Sequence, residues 1–177
     1  MPAIDRGRAV DAADVLNDFI GDFITGVMVF REYEAQARAG KVPLDMMVGI
    51  QKMCVSHLVL AFAKFEEFWK HYHDVVPGEH REACRAIRTT IRERKVSEFR
   101  NRCVGHIWSN DARRPLKHSE VMEALQTLVN QDLGAFLRWI NNPEANAYPS
   151  TVVSVIEAVR DAIVAEHGIR PEEIVDR

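Results

Sequence analysis

The chain has 177 residues, 47% of them apolar and 28% charged, with a formal net charge of −3. These values suit a single globular domain with a real core and exclude bulk attraction of the whole molecule to nucleic acid or membrane, so any such attraction must be local. Three cysteines, Cys54, Cys84 and Cys103, with no CxxC spacing, argue against a disulfide framework or zinc knuckle and for a reducing compartment.

Met1-Pro2-Ala3-Ile4-Asp5-Arg6 contains no apolar h-region, and the longest apolar run, residues 58–63, is too short to span a bilayer. The expectation is a cytoplasmic chain with no membrane partner. Residues 10–39 read as one long helix, because Val15, Phe19, Ile20, Phe23, Val27 and Phe30 recur at steps of three and four with polar residues between. Gly21 and Gly26 weaken that helix without breaking its pattern, and Gly40 with Val42-Pro43 stops it. A second helix over 44–74 carries Met46/Met47, Ile50, Met53/Cys54, His57/Leu58, Ala61, Phe65, Phe68/Trp69 and Tyr72 on its apolar face, ending at Val76-Pro77-Gly78. Its aromatic second half predicts a main packing surface.

Residues 79–107 read as a third helix with Cys84, Ile87, Ile91 and Val96 inward, then Phe99 and Cys103. Its other face is basic: Arg81, Arg85, Arg88, Arg92 and Lys95 step by four, three, four and three, and the rhythm continues through Phe99 and Arg102 to His106. Residues 109–115 are polar and Pro-terminated, which predicts a loop. A fourth helix is expected over 119–140 and a fifth over 151–166, closed by His167-Gly168, with a short tail at 169–177. Strand periodicity and internal repeats are not evident. The chain therefore reads as one all-α domain spanning 1–177, a bundle of about five helices.

Charge is segregated along this chain. Between Arg81 and Lys117 eleven Lys/Arg face four Asp/Glu, a local +7 that leaves −10 for the rest. Such a segment suits a phosphate backbone; it equally suits a solvated helix face paired with an acidic surface of the same bundle or of a second subunit. At its end lies Phe99-Arg100-Asn101-Arg102-Cys103-Val104-Gly105-His106. An Arg beside a phosphate stabilises developing negative charge, a His near neutrality can take a 2′-hydroxyl proton, and Asn101 can orient the His or bond a phosphate oxygen. On a straight helix Arg100 and His106 stand about 240° apart, so they meet only through a helix break at Gly105 or across two subunits.

Arg100-Asn101-x₄-His106 resembles the Arg-polar-x₄-His motif of HEPN domains, and the surrounding Phe-Arg-Asn-Arg-Cys-Val-Gly-His looks most like the abortive-infection branch of that superfamily. The resemblance implies a helical bundle that dimerises with two motifs facing across a cleft. It also implies a metal-independent endoribonuclease of defence or toxin–antitoxin systems, with RNA as substrate and a cognate antitoxin as a further partner. Carried over, Arg100 and His106 form the catalytic pair and Asn101 assists; Arg81, Arg85, Arg88, Arg92, Lys95 and Arg102 would hold RNA. The alternative is a non-catalytic HEPN-like interaction or nucleotide-binding protein, in which Arg100 and Arg102 pair with Glu98 or a neighbouring helix and His106 caps a helix end.

Arg113…His118 and Arg160…His167 meet the bare Arg–His spacing too, but neither Arg is followed by Asn and neither ends a basic stripe. His71 and His73, two apart, point to different sides of a helix and read as surface residues, whereas His57 reads as buried and hydrogen-bonded. HExxH, paired ExxH and Gly-rich phosphate loops are lacking, so no metal or cofactor is implied. The three cysteines sit at apolar positions and read as buried residues; Cys103 alone has a charged neighbour, Arg102, able to lower its pKa.

Overall fold

A computed structural model describes residues 5–105, 108–109 and 113–175. The all-α expectation holds: eight α-helices account for nearly all of the regular structure among the described residues. Helix α1 spans Arg6–Arg38 and α2 spans Leu44–Tyr72. Asp5 caps α1 by accepting from the Gly7 N–H at 3.1 Å. The two helices form an antiparallel hairpin whose seam is aromatic: Phe19 meets Phe65 and Phe68 edge-on, and Phe23 lies 4.7 Å from Phe62. At Gly26 they approach so closely that a Cβ there would lie 2.7 Å from Leu58 Cδ2. The glycine that looks like a weakness in the sequence is the contact that sets the hairpin spacing.

Helix α7, Val152–His167, packs on the other side of α1, with Val152, Val153, Val155, Ile156, Val159 and Ile163 buried. It opens on Thr151, whose hydroxyl accepts from the Ser154 N–H at 3.0 Å, and closes on Gly168 at φ 58°, the left-handed position that glycine fills without penalty. The expected tail contains a short helix, α8 (Glu172–Val175), clipped to the start of α1 by Arg6 on Glu173.

Two expected helices are interrupted. The third ends at Glu93 as α3 (Arg81–Glu93) and resumes as α4 (Val96–Phe99), with Lys95 left-handed at φ 52° between them. Ile91 and Val96 are both buried, yet five residues on one helix stand about 140° apart; the break lets both face the core. The fourth divides into α5 (His118–Val129) and α6 (Leu133–Ile140), with Asn130 and Gln131 at positive φ and Asp132 capping α6 through the Ala135 N–H at 2.8 Å. The expected loop at 109–115 is framed by a minimal antiparallel ribbon, β1 (Trp108–Ser109) against β2 (Arg114–Pro115).

The window of α2 that meets the length and hydropathy of a membrane span is 44% buried against the rest of the chain, which is compatible with a soluble protein. Gly26→Ala should cost about 1–3 kcal/mol by overpacking Leu58, while Gly21→Ala, where an added Cβ meets open space, should stabilise by up to about 1 kcal/mol. Opposite signs in urea titrations would separate packing from propensity; equal stabilisation would refute the close approach.

Candidate functional site

The motif begins at the end of α4. Val96 and Phe99 are buried and anchor this helix against α2 and α5. Residues Arg100–Val104 then widen into a π-helical turn, closed by the Gly105 N–H on the Arg100 carbonyl at 2.9 Å. The α-helical register behind the 240° separation therefore does not run through this stretch, and the regular helix stops at Gly105. His106 lies outside the described residues.

Arg100 and Asn101 are exposed and bound to each other: Arg100 Nε and Nη2 both donate to Asn101 Oδ1, at 3.0 and 2.9 Å. That bond holds the guanidinium while leaving its Nη1 without a partner among the described residues. Arg102 instead pairs with Glu98 at 3.2 Å, and Lys95 approaches the same carboxylate at 3.8 Å. A shallow 200 Å³ depression beside them is lined by Lys95, Glu98, Phe99, Arg102, Glu120 and Glu123, among others. On the inner side of the turn, Phe99 and Cys103 line a second groove of about 450 Å³, whose other walls are Val48 and Val55 of α2 and Val121 and Leu125 of α5. The Cys103 thiol is pushed up by burial, which outweighs the lowering effect of Arg102 and fits a packing role. Burial likewise raises Cys54, and carries Cys84 to about 12.

The basic segment divides between structural and outward-facing residues. Arg81 donates to the Val76 and Asp74 carbonyls at 2.9 and 3.1 Å, closing the turn after α2. Arg88 makes two bonds to Glu66, at 2.8 and 3.1 Å, and lies over the Trp69 ring at 5.2 Å. Arg94 donates to the Leu128 carbonyl and stacks on Phe136 and Trp139; desolvation lowers its pKa. Arg85, Arg92, Arg100 and Arg102 remain exposed. The pairing of Arg88 with Glu66 joins positions 22 residues apart, and periodicity within either helix carries no signal of it. The break before α6 has one: Asn130 followed by Asp132 is a helix stop and an N-cap in sequence.

Of the other candidates, His57 is 40% exposed in its side chain rather than buried, and its Nε2 bonds the Asp22 carbonyl at 2.9 Å. Beyond the motif, Arg114 grips Glu120 with two bonds at 2.8 and 3.0 Å, and the Lys117 N–H adds a third at 2.7 Å. The arginine and the backbone donor hold the Glu120 carboxyl down at about 2.

No family model matches the chain, and no curated protein does. Among solved structures, integron cassette protein Vpc_cass2, from the mobile metagenome of V. paracholerae, is similar. It shares 27% identity and a TM-score of 0.73 over 88% of this chain and 95% of its own.

Two measurements check these assignments. Arg88→Ala should lose about 1–3 kcal/mol of unfolding free energy, whereas Arg85→Ala should stay within about 0.5 kcal/mol of wild type. Equal effects would refute the division of the stripe. The depressed Glu120 pKa stabilises the fold above the ordinary carboxylate range, and that contribution disappears as pH falls through about 2. Carboxyl NMR titration should give a Glu120 midpoint near 2 that returns to the usual range in Arg114→Gln.

Proposed function

We propose that this chain is a metal-independent endoribonuclease of the HEPN type, a cytoplasmic homodimer acting in a defence or toxin–antitoxin system. The observation that carries the reading is the Arg100–Asn101 pair, exposed at the start of a π-helical turn that ends at Gly105, one residue before His106. His106 takes the proton from an RNA 2′-hydroxyl. The 2′ oxygen attacks the adjacent phosphorus, and Arg100 stabilises the charge that builds on the non-bridging oxygens. The bond to the 5′ oxygen breaks, and that oxygen takes a proton. The products are a 2′,3′-cyclic phosphate and a 5′-hydroxyl end. Asn101 sets the guanidinium, while Arg85, Arg92 and Arg102 attract the RNA backbone. A cognate antitoxin would cover this basic surface.

A second reading is a non-catalytic helical interaction protein, favoured by the binding of Arg81, Arg88 and Arg102 to partners within the chain. Cleavage of single-stranded RNA in EDTA separates the two. The nuclease reading expects cyclic-phosphate products from wild type and a loss of at least about 100-fold in His106→Ala and Arg100→Ala. Equal cleavage by wild type and His106→Ala, or no cleavage by wild type, would sink it.

A further inference from the structure

The groove of about 450 Å³ behind the π turn takes no part in holding Arg100 or Asn101. It exists because α2 and α5 pack closely on α4 but not on each other, so that buried Phe99 holds them apart. Along α2, Val48, Lys52 and Val55 step by four and three; along α5, His118, Val121 and Leu125 step by three and four. Each helix thus presents one stripe across the gap, and Phe99 and Cys103 complete the lining. The walls are core left open: Val55 is buried, yet Val48 is 59% exposed and Met122 39%. An apolar concavity of this size, with a few polar groups in it, has the form of a small-molecule site, which spans about 300–1,000 Å³.

Charge around the groove is sorted by sign. Between Asp45 and Lys64 the only Asp, Glu, Lys or Arg is Lys52. Lys64 meets Asp22 and Lys95 meets Glu98, whereas Lys52 has no ion-pair partner among the described residues. On α5 the acids turn the other way: Glu120 and Glu123 line the depression beside Lys95 and Arg102, while His118, Val121, Met122 and Leu125 line the groove. Although the chain is acidic, no carboxylate is among the described residues that line this groove. The Lys52 ammonium therefore attracts an anionic head and opposes a cationic one, and the Ser56 hydroxyl and Gln51 amide add hydrogen-bonding groups. The volume has room for on the order of fifteen water-sized groups, the bulk of a carboxylate carrying a chain of about ten to twelve carbons.

We propose that this groove binds a free medium-chain aliphatic carboxylate, its chain between Val55, Val121 and Leu125 and its head at Lys52. A flexible chain can follow a cleft walled by valine, leucine and methionine, and it removes from water the apolar surface that α2 and α5 leave uncovered. Phe99 and Cys103 belong to the stretch that bears Arg100 and Asn101, so an occupied groove buttresses that stretch from behind. The binding itself does not rest on the nuclease reading.

The test is calorimetric titration of the full chain with octanoate, decanoate and dodecanoate below their micelle-forming concentrations, with decanol and decyltrimethylammonium as controls of head-group charge. Alkylation by iodoacetamide, read by mass spectrometry, localises the ligand: Cys103 lines the groove and is half-buried, whereas Cys54 and Cys84 are buried. A single carboxylate should bind per chain, tighten about fourfold per added methylene until the groove is full, and slow the alkylation of Cys103. Decanol should bind at least about tenfold more weakly than decanoate, and decyltrimethylammonium more weakly still. Lys52 is exposed, so Lys52→Glu should melt as wild type does while losing at least about tenfold in decanoate affinity. Ser56→Phe, which fills the groove, should lose binding with its circular dichroism intact. No saturable binding by about 1 mM overturns the site. Equal affinity for decanoate and decyltrimethylammonium overturns it too, as does decanoate binding that leaves Cys103 alkylation unchanged or survives both substitutions. Protection of Cys103 that grows with protein concentration in the absence of carboxylate makes a second copy the occupant and likewise overturns it.

Discussion

The close approach of α1 and α2 at Gly26 and Leu58 is the constraint on which the rest of the bundle depends. With no side chain at position 26, the helices come near enough for Phe19, Phe23, Phe62, Phe65 and Phe68 to interlock along most of their length. The other side of α1 is then free to receive α7, and the aromatic end of the seam receives Phe136 and Trp139 of α6. Because α2 spends one face on this hairpin and part of another on α4 and the π turn, its remaining face is left outward.

The interruptions in the helices do as much as the helices themselves. At Lys95 the chain adopts a conformation unfavourable for any residue but glycine, so that Ile91 and Val96 can both be buried. The same turn carries Arg94 under the rings of α6 and starts α4 at a new angle, from which the π turn presents Arg100 and Asn101 to solvent. The local excess of positive charge thus has two uses. Arg81, Arg88 and Arg94 hold the elements around α3 together, and Arg85, Arg92 and Arg100 give the surface its field.

Much of this was legible in the order of residues. The six apolar positions from Val15 to Phe30 define the inward side of α1, and five of them are buried; Val15 is half-buried. Gly168 ends α7 as its type and place suggest. The Arg–Asn adjacency stands out from the other Arg–His spacings, and its two side chains are bonded to each other. Other features were ambiguous because they depend on phase. Met46/Met47 and Met53/Cys54 are adjacent pairs that each admit either neighbour to the core; Met47 and Cys54 entered it, which turned Met46 and Met53 outward. At Cys103 the charged neighbour Arg102 is visible in sequence, whereas the burial that has the larger effect depends on how the π turn packs.

Sequence by itself determined the helical class, the aromatic packing face of α2, the segregation of positive charge and the adjacency of Arg100 and Asn101, because each depends on spacing within a few turns of the chain. Tertiary structure alone decided where the long helices break, which arginines are consumed by Glu66, by backbone carbonyls and by aromatic rings, and which half of each methionine pair faces water. Those outcomes depend on neighbours distant in the chain: a helix propagates through local bonds, but it stops, turns or buries a charge only where another element supplies the partner.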